Sequence, residues 1–369
     1  MRQDRRTSRC GSAVAVAHAA PGTRHFPWLA SCSTGGANRS FSTRSRPRSV
    51  HISLIINPSS AEAVAELRAG VAALREAGHV VHPRLTFEGG DAWRFAWKAA
   101  EYGADLVVAA GGDGTINEVV NGFYDWMEER AEKDEGKKPA LPRLGVVPLG
   151  TGNDLAGGLG IRGGDPREAL AIAVAGTAWE VDVGRVNGRY FLNVSTGGMG
   201  AEATDETSDD LKRILGPVAY LITGVRKFVQ LRPSRARFTD GDGEVLSDGD
   251  FLIFAVGNAR RTGGGNLLTV EADMNDRLLD VCIVDAMSHV DFVRIAPQIR
   301  AGRHVDNPRV TYRKVRAVTV ESDEELTVNA DGEPLTGTRF EYALAPWRLT
   351  LMAPQPQEPP GRETGDAAA

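Results

Sequence analysis

Cysteine is scarce and poorly placed for cross-linking. Cys10 and Cys32 lie in an atypical leader, and Cys282 stands alone in the apolar run LLDVCIV. A disulfide framework is excluded on this basis, a reducing cytosol is the expected compartment, and Cys282 reads as a small buried hydrophobe. Long apolar runs are missing too. The best candidates, such as DLVVAA and FLIFAV, have the length of strands, whereas crossing a bilayer takes about 20 apolar residues. An excess of basic charge is also absent from most of the chain. The first 50 residues hold nine Arg and one acid, Asp4, while the remainder sets 34 basic side chains against 47 acidic ones. Nucleic-acid binding needs a concentrated basic face, so no nucleic-acid partner is expected. Any contact with a membrane must be local rather than driven by overall charge.

With 369 residues the chain exceeds one ordinary core, and two domains are expected. Residues 1–50, rich in Arg, Ser, Ala and Gly and without periodicity, read as a disordered leader. Its composition fits an organellar transit peptide, upstream sequence from a misplaced start codon, or a basic arm, and these stay open. From His51 the pattern is regular. HISLIIN, HVVHPRLT, DLVVAAGG and RLGVVPLG read as strands, and AEAVAELRAGVAALREAG, GDAWRFAWKAAEYG and GTINEVVNGFYDW as helices between them. Such alternation implies right-handed βαβ units and a parallel sheet. Past residue 178 the texture becomes β-rich, with a hairpin around Asn187-Gly188, a second in ARFTDGDGEVLSDGDFLIFAVGN, and further strands to residue 352. SDDLKRILGPVAYLITGVRKFVQL interrupts this as a helix with Ser208 as a plausible N-cap, and residues 353–369 read as a disordered tail.

Two glycine loops fall where ligands bind in open α/β sheets, at the carboxyl ends of strands. GGDGTINE, Gly111 to Glu118, follows an apolar strand and opens a helix, and PLGTGNDLA, Pro148 to Ala156, repeats the arrangement one βα unit later. Glycine permits close backbone approach, and a helix N-terminus offers N–H groups to an anion, so both loops read as phosphate-binding. Each sets an acid, Asp113 or Asp154, beside that backbone. An acid next to polyphosphate implies a cation between them, and Mg²⁺ is the natural choice.

Together these segments resemble the diacylglycerol kinase catalytic-domain superfamily, and within it the YegS-like bacterial lipid kinases. INPSS, NVSTGGMGAEA, VGNARRTGGG, EADMNDRLLDV and DGEPL extend the resemblance over residues 51–352. It implies an α/β chain: an N-terminal parallel-sheet nucleotide domain of the phosphofructokinase and NAD-kinase type over residues 51–178, then a C-terminal β-rich, sandwich-like domain over residues 179–352. It implies an ATP- and Mg²⁺-dependent kinase acting on a lipid hydroxyl, diacylglycerol-like or phosphatidylglycerol-like. ATP would contact Asn57, Pro58, Ser59, Ser60 and Ala61, then Thr86, the stretch Gly112, Asp113, Gly114, Thr115, Ile116, Asn117 and Glu118, and Thr151. By the same resemblance Asp113 and Asp154 would handle the catalytic Mg²⁺, and Asp276 a structural Mg²⁺ together with the carbonyls of Asp273 and Leu278. Glu333 matches the general base that takes the proton of the lipid hydroxyl.

This sequence departs from the family pattern at Ala61, where glycine is usual, at Val270-Glu271-Ala272, which replaces Pro-Asp-Ala, and at Arg277, again in place of glycine. The alternatives are a small-molecule kinase of the NAD-kinase kind and a lipid-binding regulator without catalysis. Expected partners are ATP, a lipid alcohol and, transiently, a membrane surface, met by a cytoplasmic protein through Lys212, Arg213, Arg226, Lys227 and Arg232. A homodimer stays open. Trp93 and Trp97, four apart on a helix, read as core, and His79, His82, His289 and His304 show no metal-ligand spacing.

Overall fold

HISLII is apolar at nearly every position, and in the computed structural model it forms β1, His51–Ile56, with five of its six residues buried. The structure describes residues 49–58, 60–133, 140–198, 233–263 and 265–354. The leader, the basic helix expected from Ser208 onward and the tail from residue 355 therefore lie outside the described residues. After β1 come α1, Ala61–Glu76, β2, Val80–Leu85, and α2, Asp91–Glu101. The next unit is β3, Leu106–Gly111, followed by α3, Asp113–Lys133. β4, Arg143–Pro148, leads into the short α4, Asp154–Gly158, and α5, Pro166–Ala175. β3 is buried throughout, as a central strand covered on both faces must be. Of the two tryptophans read as core, Trp97 packs against it, whereas Trp93 is half-buried and donates from Nε1 to Asp125 Oδ2 at 2.6 Å.

Two later strands complete the sheet: β5, Thr177–Val181, and β15, Leu349–Ala353. The order is β2-β1-β3-β4-β15-β5, parallel except where β5 runs against β15. The division expected at residue 178 thus falls inside β5, and the end of the described chain returns to the first sheet instead of staying in the second. The apolar run LTLMA is the reason: it fills the gap between β4 and β5 with buried side chains.

The second sheet is antiparallel, with nine strands among the described residues. They are β6, Gly184–Val186, β7, Arg189–Phe191, β8, Val194–Gly198, β9, Ser234–Asp240, and β10, Val245–Gly257. β11, Leu279–Asp285, β12, Val310–Val315, β13, Ala317–Ala330, and β14, Glu333–Leu344, complete it. Asn187 and Gly188 both adopt positive φ, 45° and 87°, which the tight β6–β7 hairpin requires. β10 and β13 each pair with β9 over their first halves and with β8 over their second. Register shifts at Phe251/Ile253 and Glu321/Leu326 accompany this bend. The folded sheet encloses Phe238, Phe251, Phe254, Phe340 and Tyr342, with Phe238 and Phe254 edge to face at 5.2 Å.

A helix absent from the sequence reading, α6, His289–Arg300, covers the outer face of β10 and β11. Ser288 caps it by accepting from Asp291 N at 3.2 Å, and Phe292, Ile295 and Ile299 pack beside Cys282. Pro297 inside the helix obscured its pattern.

Candidate active site

The parallel registers bring the carboxyl ends of three strands to one edge. Ile56 lies opposite Ala110, and Gly111 opposite Pro148. Chain leaving each strand is held there by its neighbour: Asn57 N donates to Ala110 O at 2.8 Å and Leu149 N to Gly111 O at 2.9 Å. Asn57 Nδ2 also donates to Thr115 Oγ1 at 3.0 Å.

At this edge the two glycine loops touch backbone to backbone. A Cβ on Gly150 would lie 2.6 Å from Gly112 Cα, so no larger residue fits without separating them. Asn153, with φ 51°, folds the second loop back: it donates to Gly150 O at 2.6 Å and accepts from Gly150 N at 3.0 Å. The Asp113 carboxylate accepts from Asp154 N at 3.1 Å and Leu155 N at 3.3 Å, and so anchors the start of α4 to the start of α3. Burial raises the Asp113 carboxyl above the usual range and the Asp154 charge adds to the effect, against the lowering influence of those hydrogen bonds. Asp154 Oδ1 in turn accepts from Gly265 N at 2.8 Å, a contact from the β-rich half of the chain.

That half delivers a further carboxylate. Asp331 and Gly332, with φ 49° and 101°, turn the chain between β13 and β14. The Asp331 carboxylate accepts from Leu192 N at 2.6 Å, Asn193 N at 3.1 Å and Val194 N at 3.0 Å. Removal from water pushes it up to about 6 and the Asp113 charge contributes, although the three N–H groups act the other way. Glu333, two residues on, opens β14 and is exposed.

A family model for the diacylglycerol kinase catalytic domain matches residues 51–186, and one for the YegS C-terminal NAD kinase beta sandwich-like domain matches residues 193–353. A relative from Chromohalobacter salexigens, named "Probable lipid kinase YegS-like", is 38% identical over 304 residues, 82% of this chain and 93% of that protein. The chain belongs to the YegS-like lipid kinase family. A Pseudomonas aeruginosa relative of the same name is 39% identical over 289 residues, 78% of this chain and 90% of its own. The crystal structure of a diacylglycerol kinase from Bacillus anthracis str. Sterne superposes with a TM-score of 0.62 at 22% identity, over 82% of this chain and 96% of that one, a likeness of fold.

Among the residues expected to contact ATP in this YegS-like chain, Asn57, Pro58, Thr86, Gly112, Asp113, Gly114, Thr115 and Thr151 sit in the loops and first helical turn at the sheet edge. Ser60 Oγ is engaged as the N-cap of α1, accepting from Ala63 N at 3.1 Å, and Ala61 is the first residue of that helix. Ser59 lies outside the described residues. Three more belong to α3, and their side chains are engaged elsewhere. Ile116 is core. Asn117 donates to Tyr190 O at 2.9 Å. Glu118 Oε2 accepts from Gly90 N and Ala92 N, both at 3.1 Å, at the start of α2. Asp273, Asp276 and Leu278 lie on a separate turn before β11, where Asp276 Oδ2 accepts from Lys314 Nζ at 3.0 Å. Sequence reasoning did not find Asn121, Tyr190 or Gly265, because each acts through a partner distant in sequence.

Proposed function

We propose that the chain is an ATP- and Mg²⁺-dependent kinase that transfers the γ-phosphoryl group to the hydroxyl of a lipid, diacylglycerol-like or phosphatidylglycerol-like. The observation that carries this reading is the junction of the glycine loops, where the half-buried Asp113 carboxylate feels the charge of Asp154 beside the N-terminus of α3. Two repelling carboxylates are a hard-oxygen donor set that suits Mg²⁺. Bound by Asp113 and Asp154, Mg²⁺ would neutralise charge on the transferred phosphoryl group. The first-turn N–H groups of α3 bind phosphate oxygens, and contact between Gly112 and Gly150 keeps both loops at one distance from them.

Asp331, with its carboxylate committed to three backbone N–H groups, positions the turn. Glu333, exposed at the start of β14, is the acceptor of the lipid hydroxyl proton as the oxygen–phosphorus bond forms and ADP departs. No helix among the described residues is long and apolar enough to cross a membrane. The reading expects a peripheral, transient visit to a lipid surface. Incubating the full chain with γ-labelled ATP, Mg²⁺ and a total lipid extract tests it. Label in an organic-phase product identified by mass spectrometry is the expected result, and label confined to inorganic phosphate or to a water-soluble acceptor would refute it.

A further inference from the structure

The turn from Glu271 to Asp280 is where the family resemblance sets a structural Mg²⁺, yet its oxygens already have a cation. Lys314 Nζ, on β12, donates to Glu271 O at 2.9 Å, to Asp276 Oδ2 at 3.0 Å and to Asp280 Oδ2 at 3.0 Å. An ammonium group has three protons, and all three are used. The carboxylates are equally committed. Asp276 Oδ1 accepts from Leu278 N at 3.0 Å, and the fully buried Asp280 accepts at Oδ1 from Tyr312 OH at 2.7 Å. Tyr312 OH also accepts from Glu271 N at 3.0 Å, so β12 holds both the N–H and the carbonyl of Glu271.

A second clamp lies at Arg277. Its φ of 62° is the left-handed conformation that glycine would take without strain. The arginine side chain turns that position to use: Arg277 N and Nη1 donate to the two oxygens of buried Asp182 at 2.8 and 3.0 Å. Arg348 joins them, donating from Nε to Asp182 at 2.8 Å and from Nη2 to Asn275 O at 2.9 Å. The carboxylates of Asp182, Asp276 and Asp280 are thus matched by Arg277, Arg348 and Lys314. At the rim, Asp273 Oδ1 accepts from Asn275 N at 3.0 Å, and Asp273 O accepts from Asp276 N. A divalent cation needs about six oxygen ligands or more, and here it would enter among three positive side chains. The donor set does not fit one.

We propose that the Lys314 ammonium takes the place of a structural divalent ion in this chain, so that the β-rich half is held together without metal. The inference stands apart from the identity of the lipid and from turnover.

Thermal melting of the full chain in EDTA and in excess Mg²⁺, without nucleotide, tests it. Asp113→Asn serves as the background in which the candidate catalytic metal site is weakened. The melting temperature of Asp113→Asn is expected to be the same in both solutions, because nothing binds the native state selectively at the turn. In that background Lys314→Met, which keeps the length and loses the charge, is expected to melt several degrees lower in either solution. Adding Arg277→Gly to Lys314→Met removes both obstacles, and Mg²⁺ is then expected to raise the melting temperature. A rise of several degrees with Mg²⁺ in Asp113→Asn alone would overturn the proposal, and that measurement needs no Lys314 variant. Unchanged melting of Lys314→Met would overturn it as well.

Discussion

Asn121 and Tyr190 exchange hydrogen bonds in both directions: Asn121 Nδ2 donates to Tyr190 O at 3.0 Å and Tyr190 N donates to Asn121 Oδ1 at 3.0 Å. The helix that begins at Asp113 is thereby fastened to β7 of the second sheet, with Asn117 adding a further bond to the same carbonyl. Beyond Tyr190 the chain presents Leu192, Asn193 and Val194 N–H to Asp331. A continuous path of hydrogen bonds therefore runs from the first glycine loop to the turn that carries Glu333.

Replacing Asn121 by Leu should break this path while keeping side-chain volume. Asn121 is buried, and its loss leaves Tyr190 N unpaired; a buried unsatisfied group costs about 1–3 kcal/mol. The expected outcome is a lower denaturant midpoint together with a fall in turnover larger than any change in ATP affinity. Stability and ATP binding measured side by side check this, and full turnover in a destabilised protein would show that the path plays no part in alignment.

Gly150→Ala is expected to act by steric overlap, since its Cβ would lie 2.6 Å from Gly112 Cα and 3.0 Å from Asn153 Oδ1. Forced overpacking typically costs about 1–3 kcal/mol, and here it also separates the two loops. Turnover should drop at least about tenfold, the effect of 1.4 kcal/mol on a transition state. Gly158→Ala is the control, because nothing lies within 4 Å of its added Cβ. Equal kinetics for the two variants would contradict the account.

Asp331 carries a pH prediction. Its folded value near 6 lies above the ordinary Asp value of about 3.9. The raised value favours the folded state when the group is protonated, and that contribution is lost as pH rises from about 4 through about 6. Asp331→Asn lacks this dependence. The stability difference between the two proteins, measured in EDTA by denaturant unfolding, should shift in favour of the Asn variant across that window, and a shift in the opposite direction would refute the assignment.

Much of the first sheet was legible because its strands are short apolar runs and its helices carry a regular pattern. Both glycine loops could be placed because the carboxyl end of a strand is a property of local sequence. Where the reading failed, the cause was long-range. LTLMA reads as a strand but gives no sign that it joins β4, and a helix read over GTINEVVNGFYDW does not say that Asn117 reaches Tyr190 or Glu118 the start of α2. Arg277 was visible as a departure from glycine, whereas its partner Asp182 is 95 residues away. α6 was missed because Pro297 and a mixed polar pattern hid the stripe formed by Phe292, Ile295 and Ile299.

The most direct measurement compares phosphoryl transfer to lipid by the unaltered chain and by Glu333→Gln, with ATP binding measured on both. Gln keeps size and reach but does not accept the hydroxyl proton. Turnover is therefore predicted to fall by about 10² to 10⁴-fold with ATP affinity unchanged. Transfer within a few-fold of the unaltered chain would contradict the account, and loss of transfer in Asp331→Asn alone would move the base to Asp331.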